Sequence, residues 1–302
     1  MVRNIINREK DNYFIFAGAN KVGMEIIYST RKLADKLSRL RSQGLIGFVP
    51  TMGALHAGHI SLVEYAASEN DTVVVSIFVN PTQFNDKKDL ERYPRNLEAD
   101  IKMLENKGCH IVFAPSAEEV YPEPDTRVFD FGTMDKVMEG MFRPGHFNGV
   151  AQVVSRLFDM VRPDRAYFGL KDFQQLSIIR KMVQQLQLSV EIVPCPIVRE
   201  PSGLAMSSRN ELMSKEEREN AALIYKMISR ADNWKNDKSV DELEQAIAAG
   251  INQNPFLETE YVEIVDEDTL EKVSDWQHPG RKVVCVAVWC GKVRLIDNFL
   301  IE

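Results

Sequence analysis

The run Thr72-Val73-Val74-Val75-Ser76-Ile77-Phe78-Val79 constrains the fold more than any other part of the chain. It is apolar and β-branched at odd and even positions alike, so a strand built from it is buried on both faces. Such a sheet needs a covering layer on each side, and the neighbouring sequence supplies them. Ser29–Arg41 places Leu33, Leu37 and Leu40 at helical spacing, with Ser29 and Thr30 as candidate caps. Leu45–Val49, His110–Ala114, Arg165–Gly169 and Val190–Val198 read as further strands, and Asn96–Lys107, Phe147–Met160 and Asp172–Leu186 as helices between them. Strands alternating with helices of this length predict βαβ units, hence a Rossmann-like, doubly wound parallel α/β sheet.

Past Arg199 the pattern changes. A charged helix capped by Ser214 is expected to run to about Arg230, and a second covers Val240–Ile251. Extended segments follow at Glu260–Val265, Val283–Trp289 and Val293–Asn298, with Cys290-Gly291-Lys292 as a hairpin turn. Residues 24–199 are therefore expected to form the first domain and 200–302 a smaller C-terminal α+β domain. Residues 1–23 fit neither pattern and read as a dispensable extension ahead of Met24-Glu25-Ile26-Ile27.

A net charge of −7 argues against a surface built for nucleic-acid backbones, while leaving room for one buried nucleotide. The cysteines Cys109, Cys195, Cys285 and Cys290 are scattered without a C-x-x-C pair, as in reduced, buried thiols. Tyr13–Ala19 follows Glu9, Lys10 and Asp11, a poor match to a signal peptide, and no run of about 18 apolar residues predicts a membrane span. These features predict a cytoplasmic protein.

Four segments interrupt apolar elements with polar groups. In Val49–His59, VPTMGALHAGH, two histidines three residues apart stand in a glycine loop between a strand and a helix. Unpaired backbone N–H groups and the positive end of a helix dipole meet there, which suits phosphate. Asn80 and Gln83 follow the buried strand, and ligands bind at the carboxyl edge of α/β sheets. Lys171, with Asp172 as a candidate cap and Gln175 one turn on, follows the Arg165–Gly169 strand and suits a mobile charge on phosphate. Val198–Asn210 is a Gly- and Ser-rich loop whose hydroxyls and guanidinium suit a polyphosphate clamp. The four are expected to converge on one sheet edge.

The motifs P-T-M-G-A-L-H-x-G-H (50–59), F-V-N-P-x-Q-F (78–84), Y-P-R (93–95), F-R-P-G-H-F-x-G-V (142–150), F-G-x-K-D-x-Q-Q (168–175) and M-S-S-R-N (206–210) occur in that order. With them the chain, from about residue 24 onward, closely resembles the pantoate–β-alanine ligase family of His-x-Gly-His nucleotidylyl transferases. That resemblance implies attack of pantoate on the α-phosphate of ATP, followed by displacement of AMP from pantoyl-adenylate by β-alanine. It implies that His56, His59, Lys171, Ser207, Ser208 and Arg209 contact ATP phosphates, with Met52, Gly169, Asp172, Val198 and Met206 completing the ATP site. Pro50, Thr51, Met52, Asn80, Gln83 and Gln175 would hold pantoate. Mg²⁺ would accompany the nucleotide, with Asp100 a candidate ligand, and the family implies a homodimer.

The residue types suit that chemistry independently. A carboxylate is already ionised at neutral pH, so the first step needs positioning and cations rather than a base. Neutral glutamines orient a carboxylate without the loss of nucleophilicity that a paired arginine would bring. The β-alanine amine must lose a proton, and His56 is one candidate acceptor. Closure of the C-terminal domain is expected to shield the adenylate from water. Two alternatives remain at this point: an adenylyl transferase acting on a phosphorylated partner, which would need further cations, and a non-catalytic nucleotide-binding module.

Overall fold

The computed structural model describes residues 7–9, 12–15, 23–84, 90–91 and 93–302. The expected buried strand becomes β5 (Thr72–Ile77), at the centre of a sheet with β3 (Met24–Ile27), β4 (Ile46–Thr51), β6 (Ile111–Phe113), β7 (Arg165–Gly169) and β8 (Glu191–Cys195). These six strands are parallel in the order β3-β6-β5-β4-β7-β8. β3 is the edge strand of these six; from it the chain crosses to β4, builds through β5 and β6 toward β3, and then adds β7 and β8 on the other side of β4. The switch point of the sheet therefore lies between β4 and β7, where α/β proteins bind ligands beyond the carboxyl ends of the strands.

The backbone also places β1 (Asn7–Glu9) and β2 (Asn12–Ile15) as an antiparallel hairpin extending the sheet from β3. That is structure in a region the periodicity left unassigned. The rest of the extension lies outside the described residues.

Helix limits follow local chemistry. Asn96 accepts the Ala99 N–H at 3.1 Å and starts Leu97–Leu104. Ser29 occupies the cap position of Thr30–Leu40 without a side-chain cap bond; Glu119 accepts the Thr30 N–H at 2.7 Å instead. Ser214 caps Lys215–Ala221 with Glu217 in a capping box, but the helix does not continue to Arg230. Ala222 breaks it, and Leu223–Ile228 and Ala231–Trp234 are separate short helices.

The chain condenses into two compact units interleaved along its length. The first comprises the described part of Met1–Asp130 with Gly145–Gly169 and Ile178–Cys195; the second comprises Phe131–Pro144, Leu170–Ser177 and Pro196–Glu302. The parallel sheet's Val49, Val73, Val75 and Val112 share a buried cluster with Val63 and Ala66 of the Ala57–Glu69 helix and Leu104 of the Leu97–Leu104 helix. In the second unit β9 (Leu257–Asp266), β10 (Lys282–Cys290) and β11 (Val293–Ile301) form an antiparallel sheet, with β10 and β11 joined at Gly291-Lys292 as the hairpin signal predicts. Val284, Val286 and Val288 of β10 pack on Leu243, Ile247 and Ile251 of the Val240–Asn252 helix. Among the described residues no helix is long and apolar enough to cross a membrane.

Candidate active site

In the first unit the site begins where β4 ends. The Thr51 hydroxyl donates to the Ser76 carbonyl at 2.7 Å and accepts the Gly53 N–H at 3.2 Å, folding the chain back beyond the sheet. Gly53 has φ of 81° and a Cβ there would lie 2.8 Å from Asp100 Oδ2, so the motif needs glycine at this position. Asp100, buried in the first turn of Leu97–Leu104, accepts the N–H groups of Ala54 at 3.1 Å and Leu55 at 2.7 Å. Burial pushes its carboxyl up, against the pull of those two N–H groups. Its oxygens thus shape the loop, and among the described residues no cluster of three or more His, Cys, Asp or Glu could hold a metal.

The loop delivers His56 to the N-cap of the Ala57–Glu69 helix. Its Nδ1 accepts the Gly58 N–H at 3.1 Å, and His59 Nδ1 accepts the His56 N–H at 3.3 Å. The rings lie 4.1 Å apart, tilted by 44°. A ring nitrogen that accepts an N–H bears no proton, so this pattern assigns the neutral rings their proton on Nε2. Two Nε2–H donors therefore stand at a helix N-terminus, whose dipole favours anions.

Beyond β5, Asn80 caps a 3-10 turn, Pro81–Gln83. Asn80 and Gln83 are buried, and Gln83 Nε2 donates to Met52 Sδ at 3.0 Å, which joins this turn to the histidine loop. The turn rests on the His146–Val161 helix. His146 Nδ1 donates to the Gln83 carbonyl at 2.9 Å, and a Cβ on Gly149 would lie 2.5 Å from the Thr82 carbonyl oxygen. At the end of β7, Gly169 has no positive φ, and among the described residues a Cβ there would meet nothing within 4 Å.

The other two segments belong to the second unit. Leu170–Asp172 forms a 3-10 turn leading into the Phe173–Gln185 helix, with Lys171 Nζ 3.6 Å from Asp172 Oδ1 and Gln175 half-buried on the helix. Asn298 Nδ2 donates to the carbonyls of Leu170 at 2.9 Å and Lys171 at 3.0 Å. Its neighbour Asp297 receives Arg199 in a two-bond pair at 2.6 and 2.9 Å, and the guanidinium lies over the Tyr225 ring. Thus β11 ties the Lys171 turn to the start of the Ser-rich loop. Within that loop Met206 N–H donates to the Val198 carbonyl at 3.0 Å. Ser207 Oγ accepts the Arg209 N–H at 3.3 Å, and buried Asn210 donates to Glu200 at 2.8 Å and to the Ala205 carbonyl at 3.1 Å. Ser208 opens the turn Ser208–Leu212.

A family model described as Pantoate-beta-alanine ligase matches residues 25–300. The chain belongs to this family. It is 56% identical over 276 residues to the pantothenate synthetase of Bacteroides thetaiotaomicron, spanning 91% of this chain and 98% of that protein. The pantothenate synthetase of Porphyromonas gingivalis is 53% identical over 280 residues, covering 92% of this chain and 100% of that one. Among solved structures, pantothenate synthetase from Thermus thermophilus superposes with a TM-score of 0.85 at 44% identity, covering 91% of this chain and 98% of that one. Pantoate-beta-alanine ligase from Francisella tularensis, complexed with beta-gamma ATP and beta-alanine, gives 0.76 at 38%, covering 92% and 97%.

Of the ligase family's motif residues, Pro50, Met52, His56, His59, Gln83 and Gly169 lie on the strand ends and following loops of the first unit. The polar atoms of Thr51, Asn80 and Asp100 bond to neighbouring protein groups, as do those of His56, His59 and Gln83. Sequence reasoning gave no role to His146, Gly149, Tyr121, Asp297 or Asn298. The first two do stand in a motif, F-R-P-G-H-F-x-G-V, and a histidine and a glycine three apart at a helix start were the available signal.

Proposed function

We propose that this ligase-family chain condenses pantoate with β-alanine through pantoyl-adenylate, with residues of the glycine-histidine loop and of the Gln83 turn as its reactant contacts. The observation that carries the reading is the pairing of a neutral donor, Gln83 Nε2, with Met52 beside two Nε2-protonated histidines at a helix N-terminus. A neutral amide can orient a carboxylate while leaving it nucleophilic. An adenylyl transferase acting on a phosphorylated partner would place cations at the same point.

In the first step a pantoate carboxylate oxygen attacks the α-phosphorus, and the bond to the bridging oxygen of pyrophosphate breaks. His56 and His59 donate to phosphate oxygens as charge moves onto pyrophosphate, and Lys171, Ser207, Ser208 and Arg209 are assigned the same task. Gly169, Val198 and Met206, with Asp172, are assigned to ATP; Pro50, Met52, Gln83 and Gln175 to pantoate. Mg²⁺, which favours phosphate oxygens and retained waters over an all-protein cage, would travel with the nucleotide and neutralise charge there. That agrees with an Asp100 already committed to two backbone N–H groups.

In the second step the β-alanine nitrogen attacks the acyl carbon, the carbon–oxygen bond to AMP breaks, and the amine sheds its protons. With Nδ1 holding the Gly58 N–H, His56 acts as a donor; serving as base would require it to give up its cap. Cytoplasmic location and a homodimer complete the reading, the latter checked by light scattering.

The deciding experiment uses pantoate labelled with ¹⁸O in its carboxylate. Pyrophosphate release should require pantoate, and release of AMP with pantothenate should require both pantoate and β-alanine. AMP should acquire one labelled oxygen per turnover. Unlabelled AMP, or ATP consumption indifferent to pantoate, would overturn the mechanism.

A further inference from the structure

An amide can face a carboxylate with either end, and only the NH₂ end attracts it. For Gln83 the choice is made at Asn80, three positions earlier in the chain. Three donors reach Asn80 Oδ1: the Tyr121 hydroxyl at 2.8 Å, the Thr82 hydroxyl at 3.1 Å and the Thr82 N–H at 3.3 Å. That fixes the other end of Asn80 as NH₂, which donates to the Gly149 carbonyl and to Gln83 Oε1, each at 3.1 Å. With its oxygen held by Asn80, Gln83 turns Nε2 toward Met52. We propose that Tyr121 is a positioning residue which, donating to Asn80 beside the Thr82 N–H, strengthens the hold on Gln83 as a hydrogen-bond donor to the pantoate carboxylate; this rests on the reading of Gln83 as a pantoate contact.

Tyr121 is itself firmly placed. The Arg156 guanidinium lies 5.0 Å from its ring centroid, held by Asp125 at 2.7 Å and by the Val120 carbonyl at 3.1 Å, and the Phe78 ring lies 6.3 Å away. Burial pushes the phenol above its ordinary value, so the hydroxyl keeps its proton throughout the neutral range. The line from Tyr121 O–H through two amides runs donor to acceptor in one direction, and each link polarises the next. Its end is an NH₂ group more strongly donating than an isolated amide.

Kinetics with pantoate and ATP varied separately test this. Tyr121→Phe keeps the ring packing and removes the donor; it should raise KM for pantoate about 3- to 10-fold, the effect of one neutral hydrogen bond, and leave KM for ATP unchanged. Asn80→Asp sets an acceptor against Gln83 Oε1, so the glutamine turns over and presents oxygen to the carboxylate. Its pantoate defect should exceed that of Tyr121→Phe. In a Gln83→Ala background, Tyr121→Phe should add no further pantoate effect. Equal rises in both KM values, or the same loss with and without Gln83, would assign Tyr121 a general structural role and overturn the proposal. If Gln83→Ala raises KM for pantoate while Tyr121→Phe does not, the proposal alone fails. If Gln83→Ala leaves it unchanged, the pantoate contact fails as well.

Discussion

Gly149→Ala isolates how tightly the Gln83 turn is seated. The added Cβ would lie 2.5 Å from the Thr82 carbonyl oxygen and 2.9 Å from Gln83 Cα, both backbone atoms that cannot rotate away. Restoring an ordinary 3.4 Å contact moves the turn by about 0.9 Å. That shift takes the Asn80–Gly149 bond of 3.1 Å and the His146–Gln83 bond of 2.9 Å out of hydrogen-bond range. The lost bonds cost about 2 kcal/mol, while alanine in a helix returns about 1 kcal/mol over glycine. Net stability should therefore fall by only about 1 kcal/mol. Catalysis should fall much further, since a displacement near 1 Å of a substrate contact costs about 10²-fold. Initial rates with pantoate varied should show that drop in kcat/KM, beside a thermal midpoint only a few degrees lower. Wild-type pantoate kinetics in a folded Gly149→Ala protein would refute the seating argument.

Lys171→Ala should slow adenylate formation about 10²-fold, measured as pantoate-dependent exchange of labelled pyrophosphate into ATP; a near-normal exchange rate removes Lys171 from the phosphate contacts. In the second unit, burial is the largest influence on the Glu139 carboxyl and would raise it, but the two-bond contact with Arg294 at 2.7 Å, joined by Arg143 and the Tyr261 hydroxyl, holds Glu139 below its ordinary 4.5. This pair therefore stabilises the fold above about pH 4.5, and its contribution is lost as pH falls through the lowered value. Arg294→Met should cost about 3–5 kcal/mol at pH 7 and less in acid, where the stranded carboxyl is protonated; denaturant unfolding at both pH values checks the sign. A chain lacking residues 1–23 should fold and turn over as the full chain does, although it loses the pairing of β2 with β3; loss of either property in circular dichroism or assay would show the extension to be required.

Part of the site was legible because its causes are local. The proline, threonine and glycine of 50–53 announce a chain reversal after a strand, and His56, three residues before His59 at a helix start, is that helix's cap. Asn80 shows what such reading leaves out. The sequence offered it as an amide for substrate, and the structure adds bonds to Tyr121, Thr82, Gln83 and Gly149. Asp100 likewise reads as a carboxylate for a cation, and the structure adds its bonds to two loop N–H groups, which the sequence does not signal.

The sequence by itself determined the layer order and the chemistry at the sheet edge. Runs buried on both faces require a covered parallel sheet, and a capped helix after a glycine loop makes an anion site wherever it lies. Only the tertiary structure decided which polar groups pair with one another across the fold. His146 and Gly149 stand more than sixty positions beyond the turn they seat, and Asn298 bonds to carbonyls more than a hundred positions before it. No periodicity records such pairings, because they arise when elements formed independently pack together and each buried donor must find an acceptor.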